Sequence, residues 1–237
     1  MSWHDGPMVA FDTETTGTDP LEARIVSVCL ARCEAGATPE VTSWLVDPGI
    51  EIPAEASAVH GISTEVARRD GRPPAEVLEP VAEQLIAAWR SGQPAIAMNA
   101  CYDLTVIERE LDRNGLPSLG ERLEGEPMLI VDPLVIDRHL ARYRPGKKRL
   151  EDLCQVYRVT LDGAHTADGD ALAAARVAWR MATRYPDELG GDLPGLQQLQ
   201  AAWHREWAEQ FESYLRDNGD PEAVIERDWP VRRVVAG

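Results

Sequence analysis

Met8-Val-Ala-Phe-Asp12-Thr13-Glu14-Thr15-Thr16-Gly17 is a short apolar run that passes directly into polar residues. The apolar half reads as a strand, and Ile25 to Cys33 and Glu40 to Val46, with their β-branched content, read as two more. Three strands in succession predict an antiparallel meander. In an extended chain residues i and i+2 share a face, so Asp12 and Glu14 present two carboxylates to one point. Two like charges so close repel unless a divalent cation lies between them. Hard oxygen ligands with no nearby cysteine or histidine favour Mg²⁺ or Mn²⁺ over zinc. Taken alone, the stretch has a second reading as a solvated turn in which Asp12 and Thr13 bond the local backbone.

Further along, the chain changes character. After Pro48 and Pro53 a polar loop holds His60-Gly61-Ile62, and a helix follows with Val81, Leu85 and Trp89 at four-residue spacing and Pro80 in its first turn. Ala95 to Met98 is a fourth strand, Leu104 to Arg113 a helix ended by Asn114-Gly115, and Met128 to Val131 a fifth strand before Asp132-Pro133 opens another helix. Strands now alternate with helices. Leu150 to Tyr157 is a short helix, and Ala167 to Arg184 a longer one whose alanines allow a close approach to another element. Tyr185-Pro186, Gly190, Gly191 and Pro194 mark a boundary. Beyond it Leu196, Leu199, Trp203, Trp207, Phe211 and Tyr214 repeat every three or four residues, which predicts a helix from Pro194 to Leu215.

Two more motifs carry chemistry. In Asn99-Ala-Cys-Tyr102-Asp103 a strand passes into a helix, and Asp103 stands where an N-cap is expected before Leu104. In His165-Thr-Ala-Asp168-Gly-Asp170-Ala171 a histidine at a helix entrance precedes a carboxylate by five residues. That spacing brings an imidazole near a metal-bound aspartate without making it a ligand. Each motif by itself also has a plain structural reading.

Composition sets the bounds. A chain of 237 residues and 26.2 kDa has room for one sizeable core with an appendage. With 40 acidic against 24 basic residues its net charge is -16, so it has no whole-molecule attraction to a polyanion. The exception is Arg138 to Arg149, which holds six Lys or Arg and no acid. Cys29, Cys33, Cys101 and Cys154 are too few and scattered for a disulfide scaffold or zinc site and are expected to be reduced, mostly core thiols. No apolar run reaches the ~18 residues of a membrane span, and the start lacks the regions of a signal peptide. The expected address is the cytoplasm.

Together the three motifs, DxE, NxxxD and HxAxxDA, resemble those of the DEDDh family of 3′-to-5′ exonucleases, relatives of the epsilon proofreading subunit of bacterial replicative polymerase. The resemblance runs from residue 8 to about 184 and takes in Val59-His60-Gly61-Ile62 and Leu150 to Tyr157. It implies an α/β chain with a ribonuclease H-like fold, a five-stranded mixed sheet flanked by helices. Residues 1–185 would form the exonuclease domain and 186–237 a C-terminal helical extension. It further implies that Asp12, Glu14, Asp103 and Asp170 hold two divalent cations, Mg²⁺ or Mn²⁺, with His165 as general base. Thr15, Thr16, His60 and Tyr102 would surround the terminal nucleotide, Tyr102 having core packing as its other reading. Asp132 and Asp168 are read as helix-start charges.

The resulting expectation is a nuclease that releases nucleoside 5′-monophosphates from the 3′ end of single-stranded DNA or RNA. Arg142, Arg144, Lys147, Lys148 and Arg149 would guide the strand. The alternative is a catalytically weak nucleic-acid or polymerase interaction module with the same fold. The C-terminal stripe is expected to pack back onto the catalytic domain. Its other outcome is an interface with a DNA polymerase or a second copy. No membrane partner is expected.

Overall fold

The apolar run Met8 to Phe11 is buried at four consecutive positions. Because successive strand residues face opposite ways, the sheet it belongs to must be covered on both faces. In the computed structural model, which describes residues 2–161 and 165–233, this run begins β1 (Met8–Thr15). β1 is central in a sheet of order β3-β2-β1-β4-β5, with β2 at Ile25–Cys33, β3 at Glu40–Leu45, β4 at Ala95–Ile96 and β5 at Ile130–Val131. The expected meander is present, since β1 pairs antiparallel with β2 and β2 with β3. β4 and β5 add in parallel on the other side of β1.

The helices are α1 (Ala54–His60), α2 (Thr64–Asp70), α3 (Pro74–Arg90), α4 (Ala100–Arg113), α5 (Leu119–Leu123), α6 (Pro133–Leu140), α7 (Leu150–Tyr157), α8 (Ala167–Arg184), α9 (Pro186–Leu189) and α10 (Leu193–Asp217). Three differences from the sequence reading have physical causes. Pro80 lies inside α3, because Val77 and Leu78 are as buried as Val81 and Leu85 and packing carries the helix back to Pro74. The segment read as a polar loop folds into α1 and α2, closed by left-handed Gly61 (φ 75°) and capped by the Ser63 hydroxyl. β4 and β5 are two residues each, since Asn99 turns left-handed (φ 65°) soon after one and Asp132 caps α6 straight after the other.

α8 lies against β1 and β2 through Ala171, Ala174, Ala175 and Ala178, all nearly inaccessible. α10 packs on α6 and β5, but its buried face matches the predicted stripe only in part, at Leu196 and the partly buried Trp203. The residues turned inward are Leu193, Leu196, Gln200, His204, Ala208 and Glu212, whereas Leu199, Phe211 and Tyr214 are exposed. The reason lies in what the helix covers. β5 is the last strand, and its outer N–H and C=O groups have no strand to pair with. Gln197 Oε1 accepts from Ile130 N at 2.9 Å, Gln200 Oε1 from Asp132 N at 2.8 Å, and Gln200 Nε2 donates to Ile130 O at 2.8 Å. The chain then returns: Glu212 accepts from Ile225 N, and Arg232 N donates to Thr105 Oγ1 of α4 at 3.0 Å. No helix among the described residues is long and apolar enough to cross a membrane.

Candidate active site

Three elements converge at the end of β1. Asp12 and Glu14 lie on one face of β1, and a register shift follows Glu14. α8 begins with the Thr166 hydroxyl accepting from Gly169 N at 3.3 Å, which sets Asp170 in its first turn. α4 begins at Ala100, with Asn99 at its N-cap. Asp103 is therefore not the N-cap that the sequence suggested. Asp132 anchors the α4 start instead, accepting from Asn99 N and Ala100 N, each at 3.0 Å, and it also caps α6 through Leu134 N. Its role is larger than that of a helix-start charge. Asp103 sits a turn inside α4, 3% exposed, with Oδ1 accepting from Thr13 N at 3.0 Å and Thr13 Oγ1 at 2.6 Å.

Carboxylate oxygens of Asp12, Glu14 and Asp170 lie within 4.8 Å of one another. Asp103 falls outside that set but stands close enough for its charge to oppose ionisation of Asp12 and Glu14. Burial is the largest influence on all four. It raises Asp12 well above the usual carboxylate range, helped by the charges of Asp103, Asp170 and Glu14. Glu14 is pushed up to about 7 by burial and then by Asp170 and Asp103. Asp103 also rises to about 7 through burial, against the Thr13 hydrogen bonds that favour its anion. Asp170 is raised by burial and held back by His165. None of the four forms an ion pair with lysine or arginine among the described residues. An all-oxygen set crowded in a low-dielectric place is the donor chemistry that Mg²⁺ and Mn²⁺ take.

His165 stands at the mouth of this cluster. Its backbone is left-handed (φ 63°), its side chain is 53% exposed, and Nε2 lies 3.3 Å from Oε1 of Glu151 on α7. Sequence reasoning missed Glu151, because an acid in the first turn of a helix reads as a complement to the helix dipole. Asp168 is exposed in the first turn of α8, as read.

The remaining residues frame the loop after β1. Thr15 Oγ1 and Tyr102 Oη are 2.5 Å apart and both bond the Gly17 carbonyl, while the Tyr102 ring packs against the core. Burial pushes the Tyr102 phenol up to about 12, which keeps it a donor. Thr16 Oγ1 accepts from Arg24 N at 3.0 Å. His60 Nδ1 accepts from Ile62 N, and its buried Nε2 lies by the Thr15 backbone without making a hydrogen bond. Burial lowers the His60 pKa, against a smaller opposing influence of the Thr15 backbone.

The cationic run is reassigned in part. Arg144 and Lys148 close on the buried Asp137 at 2.9 and 2.6 Å, and Arg142 faces Glu206 and Gln210. Of the five expected guides, Lys147 and Arg149 are exposed and form no ion pair among the described residues.

A mixed sheet of this order, with carboxylates from β1, α4 and α8 gathered at one end, is a ribonuclease H-like fold bearing an acidic cluster. Residues 9–178 match the RNase T exonuclease family, and the chain belongs to that family, in its DEDDh, DnaQ-like class. PolC-type DNA polymerase III of Streptococcus pyogenes serotype M2 is 26% identical over 179 residues, covering 75% of this chain and 11% of that protein. The same polymerase from Listeria monocytogenes serovar 1/2a is 25% identical over 177 residues, again 11% of its length. The chain thus spans a small part of these curated relatives. E. coli exonuclease I in complex with a dT13 oligonucleotide superposes with a TM-score of 0.65 at 21% identity, over 77% of this chain and 42% of that one. Exonuclease I from Methylocaldum szegediense gives 0.62 at 21% identity, over 88% and 46%. These likenesses carry the fold.

Proposed function

We propose that this chain is a metal-dependent 3′-to-5′ exonuclease that hydrolyses single-stranded DNA or RNA and releases nucleoside 5′-monophosphates. The observation that carries the reading is the meeting of Asp12, Glu14 and Asp170 oxygens within 4.8 Å, none of them ion-paired to lysine or arginine among the described residues. Asp12, Glu14, Asp103 and Asp170 would hold two Mg²⁺ or Mn²⁺ ions, whose chemistry is to activate a water and to stabilise the departing 3′ oxygen. His165 takes the proton of the attacking water on an imidazole nitrogen, and Glu151, 3.3 Å from Nε2, stabilises the cationic ring that results. The water oxygen bonds to phosphorus, the bond from phosphorus to the 3′ oxygen of the preceding nucleotide breaks, and that oxygen is protonated. Thr15, Thr16, His60 and Tyr102 line the place of the terminal nucleotide, with the shared Thr15 and Tyr102 hydroxyl contact fixing the loop that meets it. Residues 1–185 form the exonuclease unit and 186–237 its helical extension. Kinship with PolC-type polymerases supports a polymerase partner, and the exposed Phe211 and Tyr214 offer it, or a second copy, a place to dock.

Degradation of 3′- and 5′-labelled single-stranded DNA, duplex DNA and RNA, with Mg²⁺ and with chelator, tests this reading. Early release of the 3′ label as a mononucleotide is expected, lost in chelator and in Asp12→Asn. First release of the 5′ label, phosphate release from a mononucleotide, or full activity of Asp12→Asn would each defeat it.

A further inference from the structure

A cavity of about 620 Å³ opens away from the carboxylates, between the residues before β1, the turn after β2, the segment after α7 and one side of α8. Sites for organic ligands span about 300–1,000 Å³. Among the described residues its lining is basic, with Arg158, Arg176 and Arg180 against one acid, Glu34. In a chain with 40 acidic and 24 basic residues, composition does not produce such a gathering. Arg158 has no ion-pair partner among the described residues. Its backbone closes α7 at φ 55°, a left-handed position where glycine would sit without strain. Trp179 also lines the cavity and, 40% exposed, is the one exposed tryptophan of seven. The Arg180 guanidinium lies 5.4 Å from the centre of its ring. Met8, Cys33 and Leu172 supply an apolar floor.

Guanidinium groups grip phosphate in paired hydrogen bonds, and an indole over apolar surface takes a planar ring. We infer that this cavity is a second binding site, for a nucleoside phosphate, which Arg158 and Arg180 hold by the phosphate and Trp179 by the base. It stands apart from the acidic cluster, since Trp179 follows Asp170 on α8 by nine residues, a rise of ~13 Å. Nothing in it calls for a metal, and it does not depend on the catalytic reading. The nucleotide comes either free or as a unit of a strand.

Calorimetric titration of the full chain in chelator, with dAMP, a short oligothymidylate and inorganic phosphate as separate ligands, tests the site. dAMP is expected to bind about tenfold more tightly than phosphate, equally well in Asp12→Asn. Arg158→Gly should weaken dAMP about tenfold while raising the melting temperature, because it removes a charge and relieves the left-handed backbone together. Trp179→Leu should erase the preference for dAMP over phosphate. Equal affinity for dAMP and the oligomer identifies a free nucleotide and tighter oligomer binding a strand, and both uphold the site. No binding of dAMP in chelator, binding lost in Asp12→Asn, binding untouched by Arg158→Gly, or phosphate bound as well as dAMP would overturn it.

Discussion

Asp137 and Glu110 are inaccessible to solvent, and each is answered from within the chain. Arg144, Lys148 and the Tyr157 hydroxyl converge on Asp137, and Arg24 and Arg113 reach Glu110 at 2.5 and 2.9 Å. At the end of β1 four carboxylates meet, and what surrounds them is one another, the Thr13 donors and a neighbouring histidine. A buried acid is therefore no sign of a site in this molecule. A cluster of buried acids left without counter-charges is one, because the missing positive charge must come from protons or from an ion outside the chain. A lone buried acid such as Asp132 is instead answered by backbone donors.

The largest expected effect comes from breaking the unanswered set. Asp170→Asn should remove nearly all hydrolysis, and His165→Ala should lower kcat by ~10²–10⁴, the usual worth of a general base. Neither should unfold the chain in chelator, because Asp170→Asn removes a repulsion from the crowded set and the His165 side chain is 53% exposed. Steady-state rates and melting curves on the same preparations check both. A His165→Ala enzyme with the wild-type rate would remove it from the chemistry.

Breaking the answered set should do the opposite. Asp137→Asn leaves Arg144 and Lys148 without their partner, and loss of one side of a buried pair costs about 3–5 kcal/mol. Both cations are partly exposed, at 13% and 23%, so a value at or below the lower end is expected in urea unfolding, with kcat retained. An unchanged urea midpoint would show that the charges of Asp137 do not hold this region together.

Acid distinguishes the two sets more finely. Glu14 and Asp103 have folded pKa values of about 7, above their usual 4.5 and 3.8, so between those limits the native state holds protons that the unfolded chain has released. Stability in chelator should then fall as pH rises from about 4.5 to 7 and be fully present below that window. Mg²⁺ replaces the protons, so the fall should shrink when it is added, and the melting temperature gained from Mg²⁺ should be greatest near pH 8. Thermal melts across pH, with and without Mg²⁺, measure this. A slope of opposite sign in chelator would contradict the uncompensated cluster.

The smallest effect belongs to the cations that neither set claims. Lys147→Ala with Arg149→Ala should leave stability unchanged and reduce the salt dependence of strand binding by about one unit of slope per lost phosphate contact. An intact slope takes both residues off the strand's path.

The comparison also marks what the sequence made legible. Asp12 with Glu14, and His165 with Asp170, are local patterns whose spacing already places them, and the order of strands follows from composition along the chain. Asp103 was legible as an acid at a helix start, but its burial and its grip on Thr13, 90 positions away, are tertiary facts. The run from Arg138 to Arg149 looked uniform because nothing in it reveals that Asp137 is buried and draws in two of its members. In α10 the aromatic repeat hid the buried face, since hydropathy patterns do not recognise glutamine as an inward residue. Glu151 gave no signal, because its place beside His165 depends on how α7 meets α8.

Gln197 and Gln200 have a consequence for growth of the sheet. A sixth strand would satisfy β5 but offer a new row of donors and acceptors on its far side, ready for another chain. An amide side chain satisfies the same groups and has nothing to pass on. α10 is thus a terminator, ending a series that a strand would only extend. If residues 190–237 were removed, Ile130 and Asp132 would regain open positions on a short apolar strand, and the expected product is a chain that recruits its neighbours edge to edge.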